Sequence, residues 1–277
     1  MLLLIFSPNF FVRSVHAPTH HTLENASLKA AKKSTISIVL NGSSLGSRWS
    51  KISSISQIAE HIKSDKRLLI IFDIDNVLLH PSTDLGSDQW FSHLVQENID
   101  SGMDYSSAVK QVLPLYFHVN FTIDLTVTAQ NLSEDLRELR QQCEHAICLT
   151  ARSINLAERT VEQLHRNNLR FHFAEHEEFS LNLANPALYK QGVLFCGMNN
   201  KGDVLSSFLD HIGYCPEIII FIDDKEANLS VVENAAQKRG IEFIGLHYGG
   251  CDERVRSFDK VITQQELENF LEKHPLK

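Results

Sequence analysis

Residues 68–72 read Leu-Leu-Ile-Ile-Phe, apolar at every position, which predicts a strand covered on both faces rather than an alternating edge strand. Similar short runs recur at residues 146–149, 169–173, 218–222 and 243–246. Between them the apolar positions switch to spacings of three and four. That pattern predicts helices over residues 132–143, 156–167, 201–212, 228–239 and 264–273. One further helical face, with apolar residues at 52, 55, 58, 59 and 62, precedes the first run.

Strand and helix therefore alternate from residue 146 onward, the mark of an α/β chain. Repeated strand, helix, strand units imply a Rossmann-like parallel sheet flanked by helices, with right-handed crossovers and ligands at the carboxyl ends of the strands. Residues 78–131 break the alternation, setting Trp90, Phe91, Tyr105, Tyr116, Phe117 and Phe121 among polar helical stretches, and read as an insertion. The expected organisation is a core of residues 49–77 and 132–277 interrupted by a small, mainly helical module at 78–131. Residues 1–48 stand apart as a leader or poorly ordered segment.

Composition narrows the function classes. The chain has 277 residues, 43% hydrophobic and 22% charged, with a formal net charge of −8. These are globular values and exclude disordered or collagenous classes. No stretch reaches the ~20 apolar residues of a spanning helix. An acidic balance without basic runs gives no nucleic-acid-binding signature. Five scattered cysteines lack Cys-x-x-Cys spacing and read as buried, reduced thiols. Residues 1–17 end in Val15-His16-Ala17, a pattern suited to leader cleavage, but lack a basic residue ahead of the apolar stretch. The compartment is periplasmic or secreted if that segment is a leader, and cytoplasmic otherwise.

Candidate chemistry sits where strands end. Asp73-Ile74-Asp75-Asn76-Val77 follows the first run directly, and residues two apart in extended chain project to one side, so Asp73 and Asp75 face one ligand while Ile74 packs away. Asp223-Asp224 ends the run at 218–222 in the same manner. Four carboxylates at one sheet edge repel unless spread apart, protonated or neutralised by a cation, and oxygen-only ligands without a His or Cys cluster favour magnesium over zinc. Thr150 ends the run at 146–149; its hydroxyl and the amides around Ala151 suit a phosphate, and a plain helix cap explains the threonine equally well. Lys201 heads the helix at 201–212. Asp88 and Trp90, in Gly86-Ser87-Asp88-Gln89-Trp90, read either as an entrance to a site or as a helix cap and a packing aromatic. The best-spaced histidine pair, His172 with His176, spans a change from strand to acidic loop and does not read as a metal site.

In this order and on these elements, Asp73-Ile74-Asp75-Asn76-Val77, Cys148-Leu149-Thr150, Lys201-Gly202 and Ile222-Asp223-Asp224 resemble the haloacid dehalogenase-like hydrolase superfamily over residues 68–247. The segment Gly86 to Trp90 resembles a feature of bacterial members of that superfamily, often with leader peptides. The resemblance implies a magnesium-dependent phosphatase acting on a small phosphorylated substrate. It implies Asp73 as nucleophile forming an aspartyl-phosphate, and Asp75 as general acid and base. Thr150, Ala151 and Lys201 would hold phosphoryl oxygens. Asp73, the Asp75 carbonyl and Asp223 would hold the metal, with Asp224 in support and the insertion as cap. Members keeping the second aspartate transfer phosphate, which places dehalogenation behind. Two other readings stand beside this one: a phosphotransferase or phosphomutase, and a host-interaction protein that keeps the fold without turnover.

Overall fold

A computed structural model describes residues 49–276 apart from positions 64, 144, 172 and 174–177. The leader reading of residues 1–17, the segment to residue 48, and the His172 and His176 pair lie outside the described residues. Among the described residues, eight strands form one sheet in the order β1-β10-β9-β2-β5-β8-β7-β6. They are β1 (Ser50–Ile52), β2 (Leu68–Phe72), β5 (His145–Thr150), β6 (Glu178–Leu181), β7 (Ala187–Lys190), β8 (Val193–Phe195), β9 (Ile218–Asp223) and β10 (Glu242–Tyr248), with β3 (Leu79–Pro81) and β4 (Leu125–Val127) paired separately. The sheet is parallel from β1 through β8, and β7 and β6 run antiparallel at one edge. It is a mostly parallel α/β sheet.

The all-apolar runs are explained by two buried faces. In β2 the side chains of Leu68, Ile70 and Phe72 join one apolar cluster while Leu69 and Ile71 join the other. β9 divides in the same way, Ile218, Ile220 and Ile222 against Ile219 and Phe221. Each such side chain removed from water contributes about 1.5–3 kcal/mol, which is why the central strands carry no polar residue until their carboxyl ends. Helices α3 (Leu132–Arg140) and α4 (Ala157–Arg166) cover the first face. Helices α5 (Lys201–Ile212) and α6 (Glu226–Lys238) cover the second.

Three expectations need correction. The described residues of 169–173 form no strand of the sheet: Phe171 belongs to one apolar cluster and Phe173 to the other. The place beside β5 is taken instead by β8. Its hairpin with β7 turns at Gln191 and Gly192, whose φ values of 46° and 83° suit a two-residue reversal. The helical face at 52–62 begins later and as a 3-10 helix, Ile55–His61, because Ile52 is used in β1 and Ser54 with Gln57 forms a capping box. Of the cysteines, Cys148, Cys196 and Cys251 are buried, Cys143 is half-buried and Cys215 is exposed.

Between β3 and β4 lie α1 (Asp88–Asp100) and α2 (Tyr105–Thr122), packed around Trp90, Val95, Val109, Val112 and Tyr116. After α7 (Asp252–Arg256), the final helix α8 (Lys260–Lys273) adds Leu267 and Phe270 to this cluster. It thus completes the inserted pair rather than flanking the sheet. Polar ties follow the same path, with the Leu85 amide donating to Glu266 at 2.9 Å and the Asp259 amide to Asp84 at 3.1 Å. Among the described residues, no helix is long and apolar enough to cross a membrane.

Helices α5 and α6 meet closely at Gly202, where an added Cβ would lie 2.5 Å from the Val231 carbonyl oxygen. Backbone cannot yield as a side-chain tip does. Gly202→Ala is expected to cost about 1–3 kcal/mol despite the better helix propensity of alanine, read as a lowered urea midpoint. An unchanged midpoint would show that the contact relaxes freely.

Candidate active site

Three neighbouring strands, β9, β2 and β5, bring Asp223, Asp73 and Thr150 to one edge of the sheet. The Asp73 amide continues the ladder by donating to the Ile222 carbonyl at 2.9 Å. Lys201 reaches this edge from the head of α5, whose first turn is fixed by the Asn200 side chain accepting from the Gly202 and Asp203 amides at 2.7 and 3.4 Å. Its ammonium lies 2.8 Å from Asp73 Oδ1 and 2.7 Å from Asp223 Oδ2, spanning two strand ends. The side chain of Asp223 is 0% exposed, and its oxygens also accept from the Lys225 amide at 2.8 Å and from Asn228 Nδ2 at 3.0 and 3.1 Å.

The second aspartate of the first motif is held differently. Arg152 grips Asp75 with two hydrogen bonds, Nε to Oδ2 at 2.9 Å and Nη2 to Oδ1 at 2.7 Å. The guanidinium is itself fixed by Thr160 Oγ1 at 3.2 Å and Gln163 Oε1 at 3.1 Å. This forked pairing sets orientation as well as charge. Burial alone would push the Asp75 carboxyl up; the Arg152 guanidinium overrides it and holds the group below its ordinary value.

Asn76 explains the tight turn that follows. Its φ of 61° is left-handed, a conformation asparagine tolerates better than most residues, and its amide donates to Asp224 Oδ2 at 3.1 Å. The residue therefore shapes the site without facing a substrate itself. His247 Nε2 lies 2.9 Å from the Asp224 carbonyl oxygen. His80 and His118 are engaged elsewhere, with Pro81 and His274 carbonyls.

Of the remaining sequence candidates, Thr150 is buried and its hydroxyl accepts from the Arg152 amide at 3.2 Å, while Ala151 beside it is exposed. Ser153 separately caps the turn at Ile154–Leu156. Asp88 stands in the first turn of α1, capped by Ser87, and pairs with Lys225 at 2.6 Å, which joins the insertion to the acidic edge. Trp90 does not line an entrance. It is 2% exposed and stacks on Tyr116 with ring centroids 6.2 Å apart, because α1 turns this position into the insertion's core.

The charges do not balance. Asp73, Asp75, Asp88, Asp223 and Asp224 face Lys201, Arg152 and Lys225, leaving two negative charges uncompensated. Burial and the neighbouring Asp223, Asp224 and Asp75 carboxylates raise Asp73 well above its ordinary value even against Lys201. Asp224 is pushed up to about 7 by burial and by Asp223. One oxygen from each of Asp73, Asp223 and Asp224 lies within 4.8 Å of the others. An oxygen-only cluster with a surplus of two charges suits a hard divalent cation. Asp224 enters this cluster on the same footing as Asp223. Arg152, Lys225 and Asn228 were not singled out from the sequence; their signals are an arginine two residues past Thr150 and the spacing Asp223-Asp224-Lys225 to Asn228.

A family model described as "Protein of unknown function (DUF2608)" matches residues 51–275, and the chain belongs to that family. A protein of Chlamydia pneumoniae named "Putative outer membrane protein" is 25% identical over 202 residues, covering 73% of this chain and 77% of the relative. A Chlamydia trachomatis protein of the same name is 25% identical over 198 residues, 71% and 75% of the two chains. Among solved structures, a haloacid dehalogenase-like family hydrolase from Streptococcus pneumoniae aligns with a TM-score of 0.40 at 14% identity, over 64% of this chain and 92% of that one.

Removing Arg152 leaves a buried carboxylate without its partner. Arg152→Met is expected to cost about 3–5 kcal/mol at neutral pH. Since the folded-state value of Asp75 lies below the unfolded one, the pair's contribution is complete above about pH 4 and is lost as pH falls through the folded value. The gap in urea midpoint between the two proteins should therefore shrink below pH 4; a gap independent of pH would separate Asp75 from the effect. Divalent cation binding near pH 6 should release a proton from Asp224, and less at pH 8. Calorimetry in two buffers of different ionisation enthalpy reads this, and equal heats would contradict it.

Proposed function

We propose that this member of the DUF2608 family is a magnesium-dependent phosphomonoester hydrolase of the haloacid dehalogenase-like type, working through an aspartyl-phosphate. The observation that carries the reading is the Lys201 ammonium, held at 2.8 Å from Asp73 and 2.7 Å from Asp223 across adjacent strand ends. A lysine so placed fixes one oxygen of Asp73, leaves the other for attack, and offsets the negative charge that an incoming phosphate brings.

Asp73 attacks phosphorus and the bond to the leaving oxygen breaks, that oxygen taking a proton from Asp75, which must itself first be protonated from solvent against the pull of Arg152. Water then attacks the phosphoryl group, Asp75 takes the proton from it, and the bond to Asp73 breaks to release phosphate. Arg152 keeps Asp75 in one orientation through both halves. Thr150, the Ala151 backbone and Lys201 hold the phosphoryl oxygens. The carboxylates of Asp73, Asp223 and Asp224, with the Asp75 carbonyl, would hold Mg2+, which supplies the charge that this edge lacks. The inserted helices act as cap over the edge. A setting outside the cytoplasm accords with the leader-like pattern of residues 1–17 and with the name carried by the chlamydial relatives. The retained set of Asp73, Asp75, Arg152, Lys201 and Asp223 favours turnover over a pure binding role.

Phosphate release from a panel of monoesters is expected with Mg2+, to be abolished by EDTA, and to return when Mg2+ is added back. Asp73→Asn should lower it on the order of a thousandfold or more. Because Asp73 is held against its charge preference, the same variant should keep or raise the thermal midpoint. An Asp73→Asn protein with full activity would remove this mechanism.

A further inference from the structure

Beside the acidic edge lies a cavity of about 310 Å³ that, Ala151 apart, is lined by residues with no part in the chemistry above. One wall comes from the insertion, with Phe91, Val109 and Leu113, and the other from the loops that follow β5 and β8, with Ile154 and Met198. Not one of its lining side chains is charged, although five carboxylates and three cations crowd the neighbouring strand ends. Asn155 and Asn185 are its exposed amides.

The cavity adjoins the strand end that carries Thr150. Ala151, which lines it, directly follows Thr150; Gly197, which also lines it, donates its amide to the Arg152 carbonyl at 3.2 Å. The Cys196 amide donates to the Thr150 carbonyl at 2.9 Å, so the loop from β8 to Lys201 forms the shared wall. Since β8 is the neighbour of β5, and β5 of β2, the strand ends whose loops border the cavity lie within two strand spacings, about 10 Å, of the one that carries Asp73. Phe91 meets Tyr116 edge-on with centroids 4.8 Å apart. The field of Asp75 reaches the Tyr116 hydroxyl, which burial and that carboxylate both push up. At the mouth, Tyr105 and Met198 leave large side chains 64% and 46% exposed.

We propose that this cavity receives the leaving group of the substrate, and that the leaving group is a flat, uncharged, apolar one: the substrate is a phosphomonoester carrying an aromatic ring or comparable hydrocarbon next to its ester oxygen. The inference rests on the phosphomonoesterase reading. A polyol or sugar would place hydroxyls against Phe91, Val109, Leu113 and Ile154, where only Ser153, Asn155, Asn185 and the Tyr105 hydroxyl could pair with them, and each group left unpaired is costly. A dicarboxylate or a second phosphate would meet no cation on these walls. A ring or two fused rings fits the volume, which stands at the small end of ligand pockets.

Benzyl phosphate and glycerol 3-phosphate share an alkoxide leaving group and differ in what must enter the cavity. With Mg2+, kcat/KM is expected to favour benzyl phosphate by roughly tenfold to a hundredfold, the worth of burying one aromatic side group. Met198→Glu, at an exposed position outside the acidic edge, should lower the benzyl phosphate value about tenfold and leave glycerol 3-phosphate unchanged. Equal values for the two esters, or a Met198→Glu protein with an unaltered ratio, would overturn the assignment. If neither ester turns over, saturation-transfer NMR with benzylphosphonate and methylphosphonate separates the two claims. Binding of benzylphosphonate alone, weakened by Met198→Glu, would keep the cavity's preference while removing the phosphatase reading. No binding of benzylphosphonate would end the preference itself.

Discussion

Negative charge concentrated at the ends of two adjacent strands, β2 and β9, is the constraint around which this molecule is arranged. Strand spacing in a parallel sheet is about 4.8 Å, so carboxylates at successive strand ends repel across a medium that burial has dried. Lys201 answers that repulsion directly by touching two of them. Arg152 answers it for Asp75, and Lys225 for the Asp88 that the insertion brings in. Each cation depends on a different element for its place: an asparagine-capped helix for Lys201, the turn after β5 for Arg152, the approach to α6 for Lys225. The fold is in this sense a device for delivering three cations to one edge, and it still stops short of neutrality by the charge of one divalent ion.

Much of this was legible from the chain. The central strands announce themselves because residues buried on both sides tolerate no polar interruption, and Leu68 to Phe72 and Ile218 to Ile222 have none. Asp73, Asp75, Asp223 and Asp224 stand out because the first polar residues after such runs must lie at a strand's end. Lys201 was legible as the head of a helix whose limits the periodicity gave to the residue.

What stayed hidden depends on long-range pairing. Arg152 looks like any arginine opening a helical stretch; only the fold sets it against an aspartate 77 positions earlier. Asn76 looked incidental because a sequence does not display its φ, and the left-handed turn is what aims its amide at Asp224. The segment at 169–173 reads as a strand for a related reason, since Leu169, Phe171 and Phe173 are buried whether or not the chain between them pairs with the sheet. Trp90 was ambiguous until α1 fixed which way it points.

The last helix has a bearing on how the molecule is made. The sheet has its final strand once Tyr248 is in place, and with it the full acidic edge. The pair α1 and α2 has been synthesised long before, yet its apolar cluster lacks Leu267 and Phe270 until α8 arrives. A chain emerging from the ribosome N-terminus first would thus assemble its charged edge before the cover beside it is whole. Until α8 docks, Trp90, Val109 and Tyr116 have an incomplete core, a transient apolar exposure of the kind that favours aggregation.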